Sequence, residues 1–337
     1  MTQPRLPPAL ATFLQPIAED LARDDVFEIC INKPGEVFIE TAKGWERADV
    51  PAFSFEHLSG LVSTISTYAK QKVNSQNPLL SCSLPGGERV QVVLPPAVPE
   101  GTVSLTIRKP ASLTFSLDDL FQTGLFSDVE NHPDDISPED AQLIELRDAG
   151  DWNSFLVAAV KGKKNILISG STGSGKTTLS KALIPIIPHD ERLITIEDTV
   201  ELELPQPNVV RLIYSKGNQG DANVSARDLL EASLRMRPDR IFLQELRDAS
   251  AFYYLRNVNT GHGGSITTIH ADSAQLAFEQ LALLVKESEA GRDLTRGEIK
   301  QMLYQMIDVV MQIKKTSSGR RVTEIWYEPK LKLEAAE

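Results

Sequence analysis

The stretch NILISGSTGSGKTTLS, residues 165–180, constrains what this chain can fold into more than any other feature. An apolar run ends at Ser169, glycines stand at 170, 173 and 175, and Lys176 opens an amphipathic segment that stops at Pro185 and Pro188. The spacing G-x-x-x-x-G-K-[ST] is that of the phosphate-cradling P-loop. Glycines let successive backbone N–H groups turn inward around an anion, and the helix that follows adds the positive end of its dipole. On this reading Gly170, Ser171, Thr172, Gly173, Ser174 and Gly175 wrap the phosphates of ATP together with Lys176, Thr177 and Thr178. Lys176 reaches the β- and γ-phosphates, and the Thr177 hydroxyl is a ligand for Mg2+.

The surrounding pattern supplies the strand and helix that such a loop needs. From residue 165 onward strands are expected at 192–197, 209–213, 240–244 and 265–269, with helices near 226–236, 248–258 and 273–288. Alternation of this kind predicts an α/β domain with a largely parallel sheet covered on both faces. Earlier in the chain, Val26–Ile31, Glu36–Ile39, 89–94 and 102–109 read as strands. Phe55, Leu58, Val62, Ile65 and Ala69 recur at helical spacing between Ser54 and Lys72. The expected organisation is a small α+β domain with an antiparallel sheet over 1–110, a linker over 111–160, and the P-loop domain over 161–337. Within the linker, SDVENHPDDISPED at 127–140 is acidic and proline-marked, and Ser137-Pro138 suits a helix start.

Bulk properties narrow the function classes. No apolar run is long enough to cross a bilayer and no signal segment opens the chain, so the expected location is cytoplasmic, with the membrane touched through partners. A net charge of −11 argues against a broad nucleic-acid surface, and no direct sequence-specific nucleic-acid binding is expected. Cys30 and Cys82 are isolated and read as small hydrophobes rather than a bridge or a zinc site.

Hydrolysis needs magnesium ligands and a carboxylate that orients water, and two strand ends offer acids. RLITIEDTVEL delivers Glu197, Asp198 and Glu201, and PDRIFLQELRD delivers Glu245 in the manner of a Walker B segment. Glu245 is the candidate for orienting or deprotonating water, and Glu197 for a supporting role at magnesium and its waters. A solvated loop acid is the plainer reading of either. NTGHGGSITTIHADS places His270 at the end of another strand, either as a structural cap or as a γ-phosphate sensor. In TVSLTIRK, Val103, Leu105 and Ile107 point one way, so Arg108 points the other with Ser104 and Thr106; Arg89 has the same relation to Val90, Val92 and Leu94. The two arginines are either solubilising charge or fingers that close over the triphosphate. Arg235, Arg237 and Arg247 flank the Glu245 strand without an assignable role.

Four blocks taken together resemble the Walker A, Asp box, Walker B and His box of the secretion-superfamily traffic ATPases: GSTGSGKT, ITIEDTVEL, LRMRPDRIFLQELRD and TGHGGSITTIHAD. GERVQVVLPP and GTVSLTIRKP look like the N-terminal stretches of the branch that serves type IV secretion and conjugation. Gln244 stands where the family usually has a small residue, and Gly263 where this branch often has proline. The resemblance implies a homo-hexamer of two-domain subunits, with a RecA-like C-terminal domain and nucleotide held between the domains. ATP hydrolysis would drive pilus assembly or export beside other ATPases and inner-membrane components, with peripheral association at the cytoplasmic face of the inner membrane. It further implies phosphate and magnesium roles for Lys176 and Thr177, and places Glu197 in the Asp box, Glu245 in Walker B and His270 in the His box. Arg89 and Arg108 match the arginines that approach the nucleotide. The rival readings are a type II secretion or type IV pilus motor, and a nucleotide-gated assembly scaffold with negligible turnover.

Overall fold

The computed structural model describes residues 6–110, 116–129, 136–215 and 220–334. Residues 130–135 of the acidic connector lie outside the described residues.

The N-terminal half is a six-stranded antiparallel sheet of β1 (Val26–Ile31), β2 (Gly35–Thr41), β3 (Gly44–Val50), β4 (Leu79–Ser83), β5 (Arg89–Val93) and β6 (Ser104–Arg108), in the order β3-β2-β1-β6-β5-β4. Two of these strands escape a pattern reading, because GWERADV is largely exposed and LLSCS is short. The helix Phe55–Ala69 begins where the Ser54 hydroxyl accepts a hydrogen bond from the His57 amide at 3.1 Å, and ends at Lys70 in the left-handed region. Its Leu58, Leu61, Val62 and Ile65 pack with Leu10 and Leu14 against Ile29, Val37, Val90, Leu105 and Ile107.

The other face of this sheet is covered too: Cys30, read from the sequence as a small hydrophobe, is buried there with Gln91, Ser104 and Thr106. The C-terminal half covers them. Arg192, fully buried, donates to Asn32 Oδ1 at 2.8 Å and to the Met236 carbonyl at 2.9 Å, while Asn32 donates to Asn208 at 3.0 Å. Trp45 lies under the guanidinium groups of both Arg192 and Arg237.

The C-terminal half contains β7 (Ile166–Ser169), β8 (Leu193–Glu197), β9 (Val209–Ile213), β10 (Arg240–Leu243), β11 (Ile266–Ile269), β12 (Val309–Thr316) and β13 (Gly319–Trp326). Three strands run in the order β10-β8-β9 and four in the order β11-β7-β12-β13; all neighbours are parallel except β12 and β13. The two groups meet at β10 and β11. There the hydroxyls of Ser265, Thr267 and Thr268 donate to the carbonyls of Ile241, Leu243 and Gln244, and a single parallel bridge joins Glu245 to Thr268. Alternate residues feed opposite layers. Leu167, Ile194, Ile196 and Val310 enter a core with Leu229, Tyr254, Leu255, Leu281 and Leu303, whereas Ile166, Ile168, Leu193 and Met311 meet Phe155, Ala159 and Leu183. The fold is therefore α/β, a RecA-like P-loop domain following a smaller α+β domain. Among the described residues no helix is long and apolar enough to cross a membrane.

Candidate active site

The P-loop leaves β7 and enters the helix Lys176–Leu183. Gly173 and Gly175 hold φ of 73° and 108°, a region that costs an L side chain about 1–2 kcal/mol. Gly170 is required for a different reason: a Cβ there would lie 2.5 Å from the Ile313 carbonyl oxygen of β12. Lys176 is 8% exposed, and its ammonium donates to the carbonyls of Gly170 at 2.8 Å and Ser171 at 3.3 Å. Burial holds that ammonium below the usual lysine range, against the opposing charge of Glu245.

Around the loop opens a cavity of about 520 Å³, walled by residues 171–173 and 175–178, Asp198, Thr199, Glu201, Gln244, Glu245, Arg247, Thr268, His270 and Arg320. Apart from Arg320 of β13, these residues lie at or past the carboxyl ends of β7, β8, β10 and β11, the edge where open α/β sheets bind ligands. Glu245 lies two positions past β10, and only 10% of its side chain is exposed. Its Oε2 pairs with the Arg247 guanidinium. His270 Nε2 lies 2.6 Å from Oε1 but out of line for a hydrogen bond, so that buried oxygen has no donor. The other ring nitrogen of His270 faces Lys176 Nζ at 3.4 Å. Lys176, Glu245 and His270, distant in sequence, thus share one wall.

Two groups of candidates lie elsewhere. Glu197 ends β8 but is 1% exposed and does not reach the cavity. One oxygen accepts from the amides of Glu201 at 2.9 Å and Leu202 at 3.0 Å, and the other from the Thr195 hydroxyl at 3.0 Å. It fixes the turn that carries Asp198 and Thr199 into the cavity wall. Arg89 and Arg108, opposite each other across β5 and β6, are not brought to the P-loop of their own chain. They line a separate cavity of about 290 Å³ with Glu28, Ser81, Ser83, Leu234, Arg235 and Arg237. Glu28, 2% exposed, is pushed up to about 7 by burial despite Arg108 at 4.0 Å.

Arg320 was missed by sequence reasoning. It sits at the start of β13, and its Nε approaches the Gly173 carbonyl at 3.3 Å from across the P-loop. Only the alternation of GRRVTEIW after VVMQIKKT could have signalled the hairpin that carries it.

Magnesium fits the donors present. With a nucleotide it typically takes one or two protein oxygens, phosphate oxygens and several waters. Thr177 at the helix start supplies one such oxygen, and the acids of the cavity wall, Asp198, Glu201 and Glu245, stand where the metal's waters would lie, so no protein cage is needed; among the described residues no group of three or more His, Cys, Asp or Glu is arranged to form one.

Comparison with known proteins gives the family. The profile of the type II/IV secretion system protein family matches residues 138–322. Type IV secretion system protein VirB11 of Bartonella henselae is 53% identical over 329 residues, covering 94% of this chain and 92% of its own length. VirB11 of Brucella suis is 43% identical over 325 residues, covering 95% and 90%. The crystal structure of the VirB11 ATPase from the Brucella suis type IV secretion system, in complex with sulphate, superposes with a TM-score of 0.92 at 42% identity. The match covers 97% of this chain and 99% of that one. With identities of this size sustained over nearly the whole length and on the same fold, the chain belongs to the type II/IV secretion system protein family, on the branch of the VirB11 ATPases of type IV secretion.

Proposed function

We propose that this chain is the ATP-hydrolysing motor of a type IV secretion or conjugation system, powering pilus assembly, substrate export or both. The observation that carries the reading is the meeting of Lys176 and Glu245 in one cavity at the carboxyl edge of the sheet. Relatives at 43% and 53% identity carry type IV secretion names, which favours this system over a type II or pilus motor.

In the proposed mechanism the amides of 173–177 and the Lys176 ammonium grip the β- and γ-phosphates. Lys176 exchanges its two carbonyl acceptors for phosphate oxygens, a stronger, charge-assisted pairing. Glu245 orients a water for in-line attack and accepts its proton at the undonated Oε1, while His270 turns toward the γ-phosphate. Thr177 would hold magnesium, which when bound would supply charge neutralisation for the phosphates. Glu197 contributes by position, through the turn that presents Asp198.

The working unit in this reading is a homo-hexamer. Arg89 and Arg108 face away from their own P-loop, and in a ring they would approach the nucleotide of a neighbouring subunit. The ring would sit peripherally at the cytoplasmic face of the inner membrane, engaging other ATPases and membrane components of the machine.

The test is ATPase turnover and light scattering of the full chain with and without an ATP analogue. Lys176→Ala should lose nucleotide binding, and Glu245→Gln should bind ATP but turn over at least about a hundredfold more slowly. Wild-type turnover by Glu245→Gln would remove the hydrolytic assignment, and monomers at every nucleotide concentration would remove the ring.

A further inference from the structure

We propose that Arg247 is a positioning residue that senses the terminal phosphate of the nucleotide, holding Glu245 until a triphosphate draws its guanidinium away. The inference rests on the reading that the P-loop takes ATP.

Past β10, Glu245 is held by its parallel bridge to Thr268, and Arg247, two positions on, brings its side chain to the same carboxylate. One fork of the Arg247 guanidinium pairs with Glu245 Oε2, and the other lies 3.3 Å from Asp198 Oδ2. Asp198 directly follows β8, the strand beside β10, so a single cation ties together the ends of two neighbouring strands. The pair engages Oε2 and so fixes the orientation of the Glu245 carboxylate, including Oε1, the oxygen assigned to water.

The two partners differ in freedom. Glu245 is 10% exposed and held by the sheet, whereas Arg247 is 43% exposed. Ion pairs with such an exposed member are weak, and a guanidinium fork accepts phosphate in the same bidentate geometry as carboxylate. Arg247 also lines both the nucleotide cavity and a second cavity of about 600 Å³ that shares Glu245 with it, which leaves room for it to swing. A γ-phosphate carries more negative charge than the carboxylate and competes for the same fork. ADP lacks that group. The arrangement therefore reads whether the third phosphate is present, and lets the Glu245 carboxylate reorient toward its water only when it is.

Equilibrium binding of fluorescent ADP and of a nonhydrolysable fluorescent ATP analogue, with Mg2+ and the full chain, tests this. Arg247→Ala should keep ADP affinity within about twofold and lose about tenfold for the analogue, the scale of a hydrogen bond to a charged group. Arg247→Lys should restore part of the discrimination. Glu245→Gln, which releases Arg247, should tighten the analogue several-fold, and that gain should vanish in Glu245→Gln/Arg247→Ala. Equal losses for both nucleotides, or a Glu245→Gln gain that survives without Arg247, would overturn the sensor and leave the ATPase reading standing. Failure of the wild-type chain to bind either nucleotide would overturn both.

Discussion

Arg237 grips Glu40 across the two halves of the molecule, with its Nε 2.8 and 2.9 Å from the two carboxylate oxygens, although its own backbone holds a φ of 56°. The guanidinium also reaches Asp239 at 2.5 Å and lies over Trp45. A left-handed arginine is costly, so the cross-domain contacts explain why it persists. Glu40→Ala should cost about 1–2 kcal/mol in chemical denaturation, less than a fully buried pair because Arg237 keeps Asp239 and some solvent. Arg237→Gly should be more stable than Arg237→Ala by about 1 kcal/mol, since both lose the guanidinium but only glycine relieves the backbone. Equal stability of the two variants would contradict the strain argument.

What the sequence made legible follows from how local its physics is. The P-loop could be read because its glycines answer to backbone angles and close approach, and Glu245 and His270 because an acid or histidine after a short apolar run must emerge at a strand end. The positions of Glu197 and the N-terminal arginines were not readable. Glu197 also ends a strand, but whether its carboxylate turns outward or back onto the amides of 201 and 202 depends on a loop with no periodicity. Arg108 alternates correctly against Ile107, yet its face is partly buried by Arg192 and Arg237, which lie more than eighty residues away. Long-range docking of this kind leaves no local trace.

Two glycines of the P-loop should behave differently. At Gly173 an added Cβ meets nothing within 4 Å, so Gly173→Ala should cost only the backbone term of about 1–2 kcal/mol. At Gly170 the added Cβ collides with the Ile313 carbonyl, and β7 and β12 must separate to admit it. Gly170→Ala should therefore melt at a lower temperature than Gly173→Ala, although Gly170 lies outside the left-handed region. The reverse order in thermal melts would refute the packing explanation.

Arg320 should matter for binding more than for stability. It is exposed and touches the P-loop through one long hydrogen bond, so Arg320→Ala should leave the melting temperature within a degree or two. Its place on the cavity wall beside Gly173 and Gly175 predicts a several-fold rise in KM for ATP with little change in kcat. A fall in kcat at unchanged KM would place Arg320 in the reaction step instead.

Glu28 gives the N-terminal half a pH dependence of defined sign. Its carboxyl sits at about 7 in the folded chain, chiefly because it is buried, with Arg108, Arg192 and Arg237 opposing and Glu40 reinforcing the shift. Unfolded, it titrates near 4.5. Between those values the unfolded chain loses the proton while the folded chain keeps it, so stability falls as pH rises from about 4.5 to about 7 and the loss is complete above that. Glu28→Gln lacks the loss. It should be more stable than wild type by about 2–3 kcal/mol at pH 8 and gain little at pH 4.5, measured by urea denaturation across that range.

Glu197 separates a charge at magnesium from a clamp on a turn. Its Oε1 satisfies two backbone amides, of Glu201 and Leu202, and its Oε2 takes the Thr195 hydroxyl. Glutamine can keep nearly all of this, because its amide oxygen accepts from the two amides and its NH2 donates to a rotated Thr195 hydroxyl. Alanine leaves both amides without their acceptor, at about 1–3 kcal/mol for the buried Leu202 amide and less for the part-buried Glu201 amide. If the residue works by position, Glu197→Gln should cost about 1 kcal/mol and retain most of kcat with an unchanged Mg2+ requirement. Glu197→Ala should lose several kcal/mol and most turnover, because the turn carrying Asp198 and Thr199 is released from the cavity wall. Rates across a Mg2+ titration decide between the two roles: a Glu197→Gln variant that folds normally but needs far more Mg2+ would show that the negative charge itself acts on the metal's waters.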